Sequence, residues 1–218
     1  MQSVESVYLN VRRSSKEHIQ TLGGAYCTAH ILKVIAMHVH ARAVTGFQPD
    51  ERIEHIQGPA SARVTLVEYA DFQSFSCAQS HVEKKLMRAR YGQHIRFVYR
   101  HYPQTHLHPD AERAAEAAET AAAQGQFWPY CDLLFQNPQH LKEKNLLDYA
   151  RRLNLDIARY QNEMNDHVYR QRVQEHIQSA QHLGLQSTPA FYVNGVFADV
   201  AAGLHQLYDS IDKALRIH

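Results

Sequence analysis

Cysteine is scarce in this chain. Three cysteines, Cys27, Cys77 and Cys131, occur among 218 residues, and they are odd in number and widely spaced. A disulfide framework is therefore not expected. Long apolar runs are also lacking, since a stretch such as residues 31–37 (ILKVIAM) is too short to span a bilayer and has no flanks of a secretory signal. We expect no membrane insertion and a cytoplasmic location, or a periplasmic one if a leader was removed.

An excess of one charge sign is missing as well. The formal net charge is +1, which gives no electrostatic footprint for nucleic acid. With 44% hydrophobic and 21% charged residues, the composition is that of an ordinary globular protein. The length suits one well-buried domain with an elaboration, or two small ones.

The chain divides into three parts by residue pattern. Residues 1–50 predict an N-terminal helical extension, interrupted at Gly23 and Gly24, and carry no chemistry that the pattern identifies. Residues 51–62 contain Gly58 and Pro59 and are typical of a linker. Ordered patterning begins at about residue 63 and continues to residue 218.

The ordered part starts with a strand, a helix and a second strand. The run VTLVEYA (64–70) is typical of a buried strand, residues 76–91 of an amphipathic helix, and IRFVYRHY (95–102) of another strand. This order predicts a parallel βαβ unit. Several helices follow, over about 103–187, before two short β-type runs around Asn194-Gly195 and a last helix.

Three stretches of this part resemble the DsbA-like branch of the thioredoxin superfamily. They read GPASARVTLVEYADFQSFSCAQSH, HPDAERAAEAAETAAAQGQFWPYCDLLFQN and STPAFYVNG, and the resemblance covers roughly residues 55–215. It implies an α/β, thioredoxin-like fold with an inserted helical domain at about 103–187. It also implies a thiol–disulfide oxidoreductase that acts on protein or peptide thiols and disulfides and needs no cofactor.

The motif that should carry the chemistry departs from the family pattern. The segment after Asp-Phe-Gln usually reads Cys-x-x-Cys, but here it reads Ser74-Phe75-Ser76-Cys77. A cysteine at the first position sits at a helix N-terminus, where its thiolate is stabilised and attacks a disulfide that the second cysteine then resolves. Serine can take neither step, so a dithiol–disulfide cycle on this pair is excluded. We expect Ser74 to be the N-cap that accepts the N–H of Cys77, and Cys77 to be either an inert buried thiol or a monothiol for a small partner.

Two further elements surround the motif. Glu68 lies six residues before Ser74, where the family often places a buried acid; a desolvated carboxyl there would have a raised pKa and could shuttle a proton, unless it reaches solvent from a strand edge. The resemblance also implies that the Thr188-Pro189 bond is cis and faces the motif. The predicted catalytic residues are Ser74, Cys77 and Glu68, and the predicted substrate-binding residues are Phe75, Ser76, Thr188 and Pro189.

Alternative functions stay open at this point. The first alternative is that Ser74 is a Cys-to-Ser replacement that traps an intermediate of a dithiol enzyme. Kappa-class glutathione transferases and their isomerase relatives share the fold plan and hold a glutathione thiolate with a serine at the helix start, so glutathione is an alternative substrate. A peptide-binding module without redox chemistry is the third hypothesis.

Three other sets of residues are candidates for chemistry. His101, His106 and His108 suggest a metal loop, but the surrounding residues resemble family members without metal, so no metal is expected. His38 and His40 fall on different sides of a helix and are weaker candidates. Cys27 or Cys131 could supply the missing sulfur only with its Cα within about 7 Å of that of Cys77.

Overall fold

The computed structural model describes residues 49–50, 53–201 and 203–216. The predicted helical extension lies, apart from its last two residues, outside these described residues. Within them, no helix combines the length and the apolar character needed to cross a membrane.

A five-stranded sheet forms the centre of the fold. Its strands are β1 (His55–Gln57), β2 (Val64–Ala70), β3 (Ile95–His101), β4 (Ala190–Val193) and β5 (Val196–Ala198), in the order β1-β3-β2-β4-β5. β2 and β3 are parallel, whereas β1, β4 and β5 each pair antiparallel with their neighbours. The predicted parallel βαβ unit is confirmed, and so is the thioredoxin-like α/β fold class.

The segment predicted as a linker contains a strand. β1 lies within residues 51–62, and its residues pair with positions 97–99 of β3. A three-residue strand is too short to show an alternating pattern, so the local sequence gave no sign of it. It forms because β3 offers an open edge.

Seven α-helices accompany the sheet within the described residues. They are α1 (Phe75–Tyr91), α2 (Ala111–Ala122), α3 (Phe127–Gln136), α4 (Glu143–Arg152), α5 (Ile157–Asn165), α6 (Arg170–His182) and α7 (His205–Arg216), with a short 3-10 helix at Gly92–His94. α1 connects the parallel strands and ends at its C-cap, Gly92. Helices α2 to α6 occupy the chain between β3 and β4.

The two faces of the sheet pack against different helices. Val64 and Leu66 of β2 join Met87 of α1 and Ile211 of α7 in one apolar cluster. The alternate residue Val67 joins a second cluster with Ala180 of α6. Both faces of β2 are therefore buried, which is why this strand reads as a continuous apolar run.

A third cluster connects the carboxyl end of β2 to the helical block. Ala70, Phe72 and Cys77 pack with buried residues of α2 and α3 such as Ala114 and Tyr130. The motif helix therefore begins at the junction between the sheet and the helical block.

The turn between β4 and β5 is the predicted hairpin. Asn194 and Gly195 both have positive φ, 49° and 79°, as a two-residue turn of type I′ requires. The Asn194 side chain accepts the backbone N–H of Thr65 at 2.7 Å, which ties the hairpin to β2.

Candidate functional site

Ser74 lies between β2 and α1 as the N-cap of that helix. Its backbone is extended, and its Oγ accepts the N–H of Cys77 at 3.4 Å. The predicted capping role is confirmed. Ser74 is 6% exposed, whereas Phe75 in the first turn is 68% exposed, and Ser76 is exposed as well. Phe75 therefore presents an aromatic ring to solvent beside the motif.

Cys77 lies one turn inside the helix and is completely buried. Its Sγ accepts the backbone N–H of Asp71 at 3.5 Å. Burial raises the pKa of Cys77 to about 12 and the negative charge of Glu68 adds to the rise, against hydrogen bonds from Ser74, Asp71 and Thr188. The thiol is therefore protonated and shielded at neutral pH, as expected of an inert buried cysteine.

The peptide bond between Thr188 and Pro189 is cis, which confirms the prediction. β4 pairs with β2 so that Ala190 lies opposite Tyr69, which brings Pro189 to the end of the sheet where α1 begins. The Thr188 side chain accordingly lowers the pKa of the Cys77 thiol against the larger rise from burial. Thr188 and Pro189 are both half-buried and directly precede β4. The structure thus brings two of the predicted substrate-binding residues, Thr188 and Pro189, to the Ser74 motif.

Glu68 is 2% exposed, because β2 is a central strand. The alternative in which it reaches solvent from a strand edge is therefore wrong. Ser80 Oγ donates to Glu68 Oε1 at 2.7 Å, and the Lys84 ammonium donates to Oε2. The carboxylate beneath the motif is therefore neutralised and hydrogen-bonded.

Sequence reasoning missed both partners of Glu68. Ser80 and Lys84 follow Cys77 by one and two helical turns, so they lie on its face of α1. Lys84 is 8% exposed, and its ammonium lies 5.5 Å from the ring centroid of Tyr99. A lysine on the buried face of a helix next to a strand glutamate is the pattern that would have indicated the pair.

Asp71 is a second residue that the sequence analysis did not identify. Its Oδ1 accepts the N–H of Gln73 at 2.7 Å, while its Oδ2 accepts the N–H of Gln104 at 2.7 Å and contacts Nδ1 of His108 at 2.8 Å. Asp71 thereby connects the approach to Ser74 with the loop after β3. The local signal is an aspartate that bonds the backbone two residues on, which is typical of an Asx turn.

The three histidines weighed for a metal have separate surroundings. His108 contacts Asp71, His106 is exposed, and His101 is buried against Glu119. Cys131 is a free, buried thiol, and Cys27 lies outside the described residues. No disulfide forms between Cys77 and Cys131.

The arrangement defines the class of protein: a thioredoxin fold with a helical insertion, and a helix N-terminus facing a cis-proline. A family model described as "Thioredoxin" matches residues 51–213. The chain belongs to this thioredoxin family. Its fold is the DsbA-like form, on which thiol–disulfide oxidoreductases are built.

Two solved structures illustrate this likeness. A thioredoxin-like oxidoreductase from Silicibacter pomeroyi superposes with a TM-score of 0.67 at 26% identity, over 77% of this chain and 94% of that one. Oxidised BdbD from Bacillus subtilis gives a TM-score of 0.68 at 21% identity, over 78% and 96%.

Similarity of sequence is higher to parts of larger proteins. A protein named Na(+)/H(+) antiporter NhaA 3, from Salinispora tropica, is 41% identical over 142 residues, which are 65% of this chain and 22% of the antiporter. This chain thus spans less than a quarter of the length of that relative.

Proposed function

We propose that the chain is a DsbA-like protein of the thiol–disulfide oxidoreductase family that binds cysteine-containing peptides, and that Ser74 prevents it from completing dithiol exchange. The observation that carries this proposal is the cis Thr188-Pro189 bond, which lies at the carboxyl end of β2, where the Ser74 motif and α1 begin. A cis-proline leaves the backbone before it free to pair with an extended peptide. The motif and the binding loop are thus assembled, while the attacking sulfur is missing.

The burial of Cys77 argues against exchange by a single thiol. A thiol with no exposed surface and a pKa of about 12 offers almost no thiolate to a substrate at neutral pH. Peptide binding without turnover is therefore the behaviour that the geometry supports for the chain with Ser74. Whether this takes place in the cytoplasm or the periplasm stays a prediction that cell fractionation would test.

Calorimetry with an apolar, cysteine-containing peptide tests the proposal. Phe75 is the exposed aromatic residue next to the motif, so Phe75→Ala should weaken binding by about 1–2 kcal/mol. Leu86→Ala is the matched control, because Leu86 is 55% exposed on the same helix but three turns away. Equal effects of the two substitutions, or no binding to the parent, would contradict the proposal.

Glutathione binding is the second candidate, and one observation favours it. The Ser74 hydroxyl lies at the N-terminus of α1, where its hydrogen can donate to a glutathione thiolate in place of the Cys77 thiol. Glutathione should then bind at millimolar concentration, and Ser74→Ala should weaken that binding by about 1–3 kcal/mol. Absence of heat with the parent protein would remove this candidate.

A further inference from the structure

Two histidines and a glutamate meet at the carboxyl end of β3. His55 Nε2 and His101 Nε2 each lie 2.8 Å from the same atom, Glu119 Oε1. The three ligand-type atoms all lie within 4.8 Å of one another. The residues come from three different elements, β1, β3 and α2, so the chain brings them together through its tertiary fold.

The surroundings fix these side chains. His101 has no exposed surface, and the side chains of Glu119 and His55 are 2% and 12% exposed. The His55 ring stacks on Phe127 with centroids 3.4 Å apart. Arg172 Nε lies 3.1 Å from Glu119 Oε2, which leaves Oε1 directed at the two imidazoles. The donor atoms are therefore held in place before any ion arrives.

Hydrogen bonding leaves this cluster incompletely satisfied. Both imidazoles share one carboxylate oxygen, and Nδ1 of the buried His101 ring has no hydrogen-bond partner. Two imidazole nitrogens and one carboxylate oxygen are a donor set that suits zinc, which binds such atoms at about 2.0–2.2 Å. In a tetrahedron these donors stand roughly 3.3 Å apart, so each histidine nitrogen would withdraw from the carboxylate oxygen by about half an ångström, and the two nitrogens, now within 4.8 Å, would come to the same separation.

We propose that His55, His101 and Glu119 bind a zinc ion, with the fourth position taken by water. The ion would fasten the edge strand β1 to β3 and to the helical block through α2. This site includes no residue of the Ser74 motif, and it shares only His101 with the three histidines named from the sequence. Arg172 opposes the ion, because its positive charge lies on the other carboxylate oxygen of Glu119.

The test measures zinc affinity of the full chain, stripped with a chelator, by competition with a chromophoric zinc indicator. His55→Ala and Glu119→Gln should each lower the affinity at least about tenfold. His106→Ala is the control, because His106 is exposed and outside the cluster.

Heat unfolding supplies a second readout. Zinc should raise the Tm of the parent and of His106→Ala but not that of His55→Ala, since binding to the native state alone stabilises it. If Glu119→Gln does not fold, His55→Ala still tests the proposal. We expect His55→Ala to fold, because His55 lies in a three-residue edge strand. An unchanged zinc affinity of His55→Ala would overturn the proposal. Zinc binding at other histidines, such as His38 and His40, would give that result.

Discussion

Replacing Lys84 with methionine should destabilise the protein far more than replacing its neighbour Lys85. Methionine keeps the length of the aliphatic part of lysine but removes the ammonium that pairs with Glu68, whose carboxylate is 2% exposed. Breaking a buried ion pair by removing one partner costs about 3–5 kcal/mol. We expect about 3 kcal/mol, because the bond from Ser80 to the carboxylate would remain. That is a large fraction of a typical folding free energy.

Urea unfolding followed by the fluorescence of Trp128, the single tryptophan, measures this loss. Lys85→Met is the matched control, because Lys85 is 53% exposed and its pairing with Asp132 should contribute less than about 1 kcal/mol. Adding Glu68→Gln to Lys84→Met should recover much of the stability, since no buried charge would then lack a partner. Equal losses for Lys84→Met and Lys85→Met would refute the reasoning.

Cys77 should alkylate slowly at neutral pH, at a rate that rises up to about pH 12, and fast alkylation at pH 7 would contradict this. Because the unfolded thiol ionises near 9.0, the contribution of Cys77 to stability should be complete below pH 9 and lost as pH rises from 9 toward 12. Gly58→Ala should cost more than about 2 kcal/mol in urea unfolding, because φ is 117° and a Cβ would meet the Ile95 carbonyl oxygen at 2.6 Å. Gly125→Ala, where φ is 76° and a Cβ would meet open space, should cost about 1 kcal/mol. Equal costs for the two substitutions would be inconsistent with the close approach at Gly58. Asp71→Asn should cost about 1.5–3 kcal/mol, because the carboxylate accepts two backbone N–H groups, and a loss below 0.5 kcal/mol in the same assay would contradict it.

The features that the sequence predicted correctly are local or carried by the family resemblance. The strand VTLVEYA is apolar throughout because both of its faces are covered, and Asn194-Gly195 specifies its turn by backbone conformation alone. Ser74 caps its helix through a bond to a residue three positions away. The cis form of the bond before Pro189 followed from the resemblance, because proline by itself favours trans.

The features that were missed depend on contacts between distant segments. Glu68 meets Lys84 because β2 lies beneath α1, and no local pattern states which face of α1 covers the strand. The contact between His55 and Glu119 joins residues 64 positions apart, one of them in a strand too short to predict. Packing of the whole domain decides these pairs.

The most direct test of the central claim is thiol–disulfide exchange by Ser74→Cys beside the parent protein. The introduced thiol would lie at the N-terminus of α1, where unpaired N–H groups stabilise a thiolate, and one turn from Cys77. We predict that Ser74→Cys forms a disulfide with Cys77 and catalyses the reduction of insulin, and that the parent does not. The account would be contradicted if no disulfide formed, if the disulfide brought no gain in exchange rate, or if the parent were already active.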